Sequence, residues 1–255
     1  MAQKSLATQS PYTFVWHDNS GQSFPDSSSE IKLTVKESGL TIDIAANTEI
    51  KQPLILINSC ANGNKSINQI NIGHNSQIQI IEYLMSDDDA GHNSVNTAIN
   101  CAPGTQLKHC VLHQARDNYN ITQESVTNIT QAADSKVMSN VFSFGGNLSR
   151  IELNIALGGL NAECQAACLA YTVNNEKQDI LLKIDHLHEY CTSKSAVRGV
   201  LKDKSNTNFI GKIMVHPGAK KTSADLQIKN LLCSPKAQAS NKPELEIYND
   251  DVRCS

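Results

Sequence analysis

The sequence predicts an all-β protein, best described as a parallel β-helix in which short strands coil into a stack. Three observations support this class: a strand–turn–strand repeat of about 28 residues, alternation of apolar residues with a period of two, and the lack of long helical patterns. A single repeat is too small to bury its own apolar face, so neighbouring coils must stack. A β-propeller, a sandwich and a large barrel remain alternatives, because hairpins also give strand–turn–strand units.

The repeat consists of apolar segments that flank short turns, such as "INIGHNSQIQIIEYL" and "TAINCAPGTQLKHCVL". Alternation within the segments, as at Ile151, Leu153 and Ile155, is typical of strands with one buried face. The turns are rich in Gly, Asn, Asp and Pro, which accept the backbone angles of tight corners. We place the turn tips, 27 to 32 residues apart, at Asn47, Asn75, Gly104, Asp134, Asn161, Glu189, Gly218 and Asp250.

The pattern divides the chain into an irregular N-terminal segment, residues 1–30, with room for an initial strand, and a β-helix core, residues 31–255. The polar stretch "MSDDDAGHNS", residues 85–94, is interpreted as a solvated loop that interrupts the coils. A calcium site at its acidic residues 87–89 is the less favoured alternative.

Composition and charge narrow the class of partners. The net charge of -3 and the pI of about 6.2 give no electrostatic reason to expect nucleic acid or an anionic membrane. The N-terminus lacks the apolar core of a signal peptide, and no stretch reaches the roughly 18 apolar residues of a membrane helix, so we expect a cytoplasmic protein. The eight cysteines are scattered without a Cys-x-x-Cys pair, which predicts reduced, buried thiols that act as small apolar groups.

Histidine pairs are the main candidates for metal chemistry. His109 and His113 fall on a predicted strand, about 13 Å apart on one face, which is too far to share a metal ion. Cys164 and Cys168 have the same spacing and meet the same objection. His186 and His188 would lie about 6.6 Å apart on one strand face. With Asp185, Glu189 and Cys191 nearby they form an alternative metal site, although an exposed polar strand end is the simpler interpretation.

Motifs of the common enzyme classes are missing from the sequence. The Gly pairs in "FGGNLSR" and "LGGLN" lack a following helix that could present amides to a phosphate, so no nucleotide site and no ATPase activity are predicted. No ladder of carboxylates recurs at the repeat spacing, which argues against a β-helix enzyme acting on a carbohydrate polymer. We keep that class as the alternative function, together with a structural solenoid that binds some other protein.

The C-terminal segment "PELEIYNDDVRCS" resembles a motif of the SufB/SufD family of iron–sulfur cluster assembly proteins. Upstream, "LLKIDHLHEYCTSKSAVRGVL", "NTNFIGKIMV" and "KKTSADLQIKNLL" resemble segments of that family in the same order. The ending resembles the SufD type, since the cysteine of the SufB type would fall near Gln227 and Ile228. Ser223 departs from the family, which usually has Asp at this place. The similarity is clearest over residues 175–255.

The resemblance implies a right-handed parallel β-helix and a non-catalytic scaffold subunit of the SUF system. It implies a SufB-like paralogue and a SufC-like ATPase as partners, and iron or an iron–sulfur cluster at the partner interface. It also implies Cys254 as the candidate metal ligand, and we assign Leu245, Ile247 and Val252 to the interface. We expect no tightly bound cofactor on the isolated chain.

The resemblance also has gaps. The helical region that docks the ATPase in the family follows the C-terminal motif, and the family has an N-terminal helical domain; neither region is found in this sequence. We therefore expect this chain to correspond to the β-helix core and to form a two-fold homodimer through its C-terminal coils when it is isolated.

Overall fold

The structure is a computed structural model that describes residues 13–17, 30–36, 39–59, 65–85, 90–115 and 120–255. Within these ranges the regular structure consists of strands, without a helix. The strands are β1 (Thr13–His17), β2 (Ile31–Lys36), β3 (Gly39–Ile44), β4 (Leu54–Ser59), β5 (Lys65–Ile72), β6 (Gln77–Met85), β7 (Ala90–Cys101), β8 (Gln106–Gln114), β9 (Asn120–Gln131), β10 (Lys136–Phe144), β11 (Leu148–Leu157), β12 (Glu163–Thr172), β13 (Lys177–His186), β14 (Thr192–Leu201), β15 (Asn206–Val215), β16 (Ser223–Leu232), β17 (Gln238–Ile247) and β18 (Arg253–Cys254).

Two nine-stranded sheets form the stack, and each coil contributes one strand to each sheet. Sheet A has the order β1-β4-β6-β8-β10-β12-β14-β16-β18, and sheet B has the order β17-β15-β13-β11-β9-β7-β5-β3-β2. Partners from successive coils are parallel and in register, as β10 is with β12 and β11 with β13. The molecule is a parallel β-helix of about seven turns with a repeat of about 29 residues, which confirms the predicted class.

The N-terminal end of the stack departs from the coil pattern. β2 pairs with β3 in the antiparallel sense, because the two residues that connect them are too few for a crossover to a parallel neighbour. β1 lies within the N-terminal segment and pairs with β4 in sheet A, so this part of residues 1–30 joins the stack. The other residues before Glu30 lie outside the described ranges.

The core lies between the two sheets and follows the period of the strands. On β11, Ile151, Leu153, Ile155 and Leu157 point inward and are at most 3 % exposed, while the residues between them face outward. Each buried Leu or Ile contributes about 2 kcal/mol through the apolar surface that it removes from water. The opposing strand β12 provides smaller groups, such as Cys164, which fill the space between the large side chains.

The corners that lead from sheet B to sheet A confirm most of the predicted turn tips. Asn47, Asn75, Gly104, Asp134 and Asn161 have positive φ angles between 54° and 71°. Gly and Asn adopt such angles with the least strain, because the Cβ atoms of most other residues crowd the following carbonyl. Each tip donates its N–H to a carbonyl of the next corner, as Asn75 does to Pro103 over 3.0 Å. The corners therefore form a hydrogen-bonded ladder along the stack.

The later corners differ in detail from the prediction. Tyr190, not Glu189, has the positive φ angle of 60°. Lys221 continues the ladder by donating its N–H to Asp251, while Gly218 has a positive φ in the longer part of the same corner. Asp250 lies in the turn between β17 and β18 without a positive φ angle.

The polar stretch 85–94 is shorter as a loop than the sequence indicated. Residues 90–94 belong to β7 and pair with β9 in sheet B. The predicted interruption of the coils is therefore wrong for residues 90–94. The acidic residues 87–89, and with them the alternative calcium site, lie outside the described residues. In the part of the chain that the structure describes, no helix is long and apolar enough to cross a membrane.

Candidate functional site

The predicted interface residues lie on the last coils of the stack. Leu245 and Ile247 occupy inner-face positions of β17, in register with Ile213 and Val215 of β15. Ile213 and Val215 are 3 % and 0 % exposed, whereas Leu245 and Ile247 are 46 % and 43 % exposed, because no described coil covers them. The end of the stack therefore presents core-type residues to solvent.

A set of apolar side chains on β16 and β17 shares this position at the end of the stack. We call it the end rung: Leu226, Ile228, Leu232, Leu245 and Ile247. β17 is the outermost strand of sheet B, so the outer edge of its backbone can accept a further strand except where Pro243 lacks an N–H. Exposed apolar residues beside an open strand edge are suited to adding a partner's strand.

Val252 does not share a strand with Leu245 and Ile247, the other two residues assigned to the interface. β17 ends at Ile247, and Val252 precedes the short strand β18 of the other sheet. The reason is the corner between them, which carries the chain from sheet B to sheet A. Val252 is half-buried at this corner.

Cys254 lies on β18 and takes part in the core of the last coil. Its Cα is paired with that of Ala224, which continues to Ser193 and Cys164 along the inner face of sheet A. Burial raises the pKa of the Cys254 thiol, and a backbone hydrogen bond from Ala224 opposes this shift. Among the described residues no group of three or more His, Cys, Asp or Glu side chains could hold a metal ion. Cys254 can therefore offer one sulfur ligand, and further ligands would have to come from elsewhere.

A buried polar cluster that sequence reasoning missed lies inside the middle coils. Glu82 accepts hydrogen bonds through its two oxygens, from Thr97 Oγ1 over 2.6 Å and from His109 Nε2 over 2.8 Å. His109 Nδ1 lies 2.9 Å from Ser139 Oγ, and all four side chains are at most 3 % exposed. The sequence held a signal, since Glu82 alternates with Ile78, Ile80 and Leu84 and so has the parity of the core.

This cluster contains a Ser, a His and a Glu in contact, the residue types of a hydrolase triad. In such triads the carboxylate usually orients Nδ1 and the serine contacts Nε2, which is the reverse of the arrangement here. Burial also denies a substrate access to Ser139 Oγ, which is 0 % exposed as a residue. The cluster is therefore a buried polar network whose members hydrogen-bond to each other. Such a network stabilises the fold only while all its members are present.

His113 forms a second buried contact set on the same strand as His109. Its ring nitrogens lie 3.0 Å from Ser149 Oγ and 2.7 Å from Ser125 Oγ. Burial lowers the pKa of His113 to about 3, so the ring is neutral at physiological pH. The structure thus confirms that both histidines share one face of a strand, and it gives each of them its own partners.

The alternative metal site around His186 is not assembled. β13 ends at His186, whose ring is buried and contacts Ser193 Oγ over 2.8 Å, while His188 lies exposed on the following corner. The prediction of a shared strand face is wrong because the chain turns between the two histidines. Cys191 donates its thiol to the Gly159 carbonyl of the preceding corner over 3.3 Å, as Ser76 Oγ does to the Ala45 carbonyl over 2.9 Å.

The cysteines mostly behave as predicted. Cys101, Cys164 and Cys168 are buried and free, and burial raises the pKa of each to about 12. Three of the described cysteines differ from this expectation: Cys233 is exposed at a corner, Cys110 is half-buried on the outer face of sheet A, and Cys254 is half-buried on β18.

Fold and site together define a β-helical solenoid with an apolar end rung and a cysteine beside it. The family model described as "SUF system FeS cluster assembly, SufBD core domain" matches residues 55–255. The chain therefore belongs to the SufB/SufD family of SUF-system iron–sulfur cluster assembly proteins.

Three curated relatives are similar to this chain, and two of them carry the family name. The iron–sulfur cluster assembly protein SufD of Escherichia coli is 30 % identical over 187 residues, which cover 73 % of this chain and 44 % of the relative. An iron–sulfur cluster assembly SufBD family protein of Synechocystis is 23 % identical over 89 % of this chain and 53 % of its own length. The chloroplastic protein ABCI7 of Arabidopsis thaliana is 26 % identical over 70 % of this chain and 38 % of its length. The chain thus spans about half the length of these relatives, or less.

Proposed function

We propose that this chain is a non-catalytic, SufD-like scaffold subunit that pairs with a SufB-like paralogue and a SufC-like ATPase during iron–sulfur cluster assembly. Membership of the SufB/SufD family and the similarity to SufD support the assignment to this system. The single observation that carries the scaffold role is the end rung, in which Leu245 and Ile247 of the inner face stand 46 % and 43 % exposed. The cytoplasmic location stays a prediction from the sequence.

The paralogue is the proposed partner of the end rung. A chain with the same coil geometry can continue both sheets, because it presents strands of the same spacing and a matching apolar rung. In the absence of the paralogue, a second copy of this chain takes its place, and the isolated protein is a homodimer. The SufC-like ATPase is assigned by family resemblance, and its contact is not assigned to any described residue.

Cys254 is the proposed ligand for the iron or cluster that is assembled. The thiol lies at the end of the stack, within the core of the coil that carries the end rung. Iron binds the thiolate, and burial raises the pKa of Cys254, so the isolated chain should bind iron weakly. A partner that brings further ligands and positive charge would favour the thiolate.

A carbohydrate-active enzyme is less well supported. A groove of about 460 Å³ lies on the outer side of sheet A and has Glu49 and Glu163 among its lining residues. Their positions are four strands apart in the register, which corresponds to about 19 Å. Glycoside hydrolysis needs two carboxyl groups about 5 to 9.5 Å apart. Glu163 is moreover paired with Lys136 at 3.0 Å.

Anaerobic reconstitution tests the proposal. The chain, a SufB-type paralogue and a SufC-type ATPase are mixed with ferrous iron and sulfide, and the complex is isolated for iron analysis and absorption spectroscopy. We expect a stable complex whose iron content falls by more than half with Cys254→Ser. Cys233→Ser, which alters an exposed cysteine at a corner, is the matched control and should leave the iron content unchanged.

Two results would contradict the proposal. If the paralogue does not associate, or still associates with a Leu245→Asp, Ile247→Asp variant that is folded, the end rung is not the interface. If the iron content is the same with Cys254→Ser, the thiol is not a ligand.

A further inference from the structure

Sheet A carries a second apolar surface on its outer face, opposite to the core. On β10, Val137 and Val141 point inward and are buried, whereas Phe142 and Phe144 point outward and are half-buried. Their rings are stacked, with centroids 6.4 Å apart and an angle of 9° between the planes. A sheet with one face in solvent should alternate apolar and polar residues, so apolar residues on both faces indicate a face that is covered.

The outward apolar residues line up across the strands. Successive outward positions are in register, and the middle row runs through Ile57, Tyr83, Leu112, Phe142 and Leu169. A second row runs through Phe144, Tyr171 and Val200. A third row contains the small residues Cys110, Ala167 and Ala196, with the polar Asn140 between the first two. We call these three rows the outer stripe.

Aromatic residues are concentrated on the outer stripe. Tyr83, Phe142, Phe144 and Tyr171 lie on it, while Phe209 is the aromatic side chain among the largest fully buried residues of the described core. Protein interfaces are enriched in Tyr and Phe, and a scarce residue type placed on one outer face indicates contact with another protein.

The outer stripe has a groove along its row of small residues. Ala167 and Ala196 form its floor, Met138 and Lys194 lie on one side, and the groove measures about 360 Å³. Met138 is 39 % exposed. A row of short side chains between taller neighbours allows the backbone of a partner to approach the sheet.

The surroundings of the outer stripe are positively charged, although the chain as a whole has a net charge of -3. Lys108 and Lys194 face outward in the row beside Met138, and Arg198 and Lys229 continue the middle row beyond Leu169. The outward carboxylates of strands β8 to β16 are Glu163, which is paired with Lys136, and Asp225, which is in register with Lys194 and lines the groove. Arg198 donates to the backbone carbonyls of Val197 and Gln227. An acidic partner would complement this charge.

The dimensions of the outer stripe fit one α-helix. Three rows spaced two residues apart are about 13 Å wide, close to the roughly 10 to 12 Å diameter of a helix with its side chains. From β4 to β14 the stripe crosses six strands, a distance of about 24 Å, which a helix spans in about 16 residues. A strand is a poor fit, because the strands under the stripe already have hydrogen-bonded neighbours on both sides.

We propose that the outer stripe docks an amphipathic α-helix of a partner protein, with an apolar side on the rows around Phe142 and Leu169 and acidic side chains that face Lys108 and Lys194 at one flank and Arg198 at one end. This contact is separate from the end rung, since it uses the side of the stack and not its end. The proposal does not rest on iron–sulfur chemistry.

A pair of synthetic peptides tests this contact. Both are helices of about 16 residues with the same leucine stripe; one has Glu flanks and the other has Lys flanks. Fluorescence anisotropy should show that the Glu-flanked peptide binds the folded chain at least about tenfold more tightly at low salt. The preference should shrink at high salt, because exposed charges are screened.

Variants locate the contact. Leu169→Arg should weaken binding of the Glu-flanked peptide at least about tenfold, and the double variant Lys194→Glu, Arg198→Glu should reverse the preference between peptides. Ile210→Arg, on the exposed outer face of sheet B, is the control and should change neither affinity. Circular dichroism and thermal melts check that each variant is folded.

Four outcomes would overturn the proposal. They are equal binding of the two peptides, unchanged binding by folded Leu169→Arg, dimerisation of the chain that Leu169→Arg abolishes and that excludes the peptide, and displacement of the peptide by phosphatidylglycerol vesicles. The third outcome would identify a second copy as the occupant, and the fourth a membrane surface.

Discussion

At the scale of single residues, the buried polar cluster shows how much one contact depends on the others. Glu82 bridges His109 and Thr97, and Ser139 completes the set, so each polar atom in the chain of contacts has a partner. Removing one member leaves the remaining polar groups buried without a hydrogen-bond partner. This destabilises the fold, because neither water nor protein then satisfies these groups.

We predict that Glu82→Leu lowers the free energy of unfolding by about 3 to 5 kcal/mol, because His109 and Thr97 are left buried without their acceptor. The double variant Glu82→Leu, His109→Leu should recover part of this loss, since it removes both polar partners. Urea denaturation of the two single variants and the double variant gives the coupling energy. Additive losses would show that the two side chains do not interact in solution.

His113 makes stability depend on pH. Burial lowers its pKa to about 3 from an ordinary value of 6.5. Between these two pH values, the ring therefore binds a proton in the unfolded chain but not in the folded chain. The stability that the neutral ring contributes is present above pH 6.5 and is lost as the pH falls from 6.5 towards 3.

We predict that the wild-type chain loses about 2 kcal/mol more stability between pH 7 and pH 5 than the variant His113→Gln, which has no titrating ring. Urea denaturation at the two pH values measures this difference. Equal losses in both proteins would mean that His113 is protonated in the folded state or reached by solvent.

At the scale of elements, the corners depend on residues that tolerate a left-handed backbone. Asn161 has a φ of 58°, and its side-chain amide donates to Asp134 Oδ1 over 2.9 Å. We predict that Asn161→Ala lowers the free energy of unfolding by about 1 to 2 kcal/mol, through backbone strain and the lost hydrogen bond. Asn161→Gly is the matched variant and should cost less, because Gly has no Cβ to crowd the carbonyl. Chemical denaturation that gave the reverse order would contradict this account.

β15 contains a glycine that its packing requires. A Cβ on Gly211 would lie 2.8 Å from Leu226 Cδ2 and 2.8 Å from the ring of Phe209, so the neighbours would have to move. We predict that Gly211→Ala lowers the free energy of unfolding by about 1 to 3 kcal/mol. In a Leu226→Ala background, Gly211→Ala should lower the free energy of unfolding by less than it does in the wild-type background. Thermal or chemical denaturation of the four proteins checks this, and an equal loss of stability in both backgrounds would exclude the clash with Leu226 as the cause.

At the scale of the whole molecule, the end rung is an apolar surface on the last described coil. The last described coil has inner-face residues of the core type but no coil above it. A surface of this kind favours association, because it combines apolar area with an open strand edge.

We predict that the isolated chain is a dimer at tens of micromolar by light scattering, and that Ile247→Lys makes it a monomer. A lysine at this place puts a charge into the apolar contact and discourages strand addition. Ile210→Lys, at a position 40 % exposed on the outer face of sheet B, is the control and should leave the dimer intact. A wild-type monomer, or a dimer that Ile247→Lys does not affect, would count against the end rung as the contact.

The sequence by itself determined the local features of this protein. The alternation at Ile151, Leu153 and Ile155 fixed the strands, because a strand's side chains alternate between two faces whatever the strand packs against. The tips at Asn75 and Asn161 were predictable, because the left-handed backbone restricts which residues fit. Residues at the C-terminal motif identified the family that the comparison then established.

Tertiary structure decided which groups meet across coils. Glu82 and His109 are 27 residues apart, and only the stacking register brings them to 2.8 Å. The same register aligns Phe142 with Leu112 and Leu169. Within each single strand, the alternation of the side chains is enough to indicate that these residues point outward. Val252 and Ile247, close in sequence, were separated because a corner sends them to different sheets. Strands and turn tips depend on the backbone preferences of a few neighbouring residues. Contacts between coils depend in addition on the length of every corner between the two residues, which the pattern within one strand does not specify.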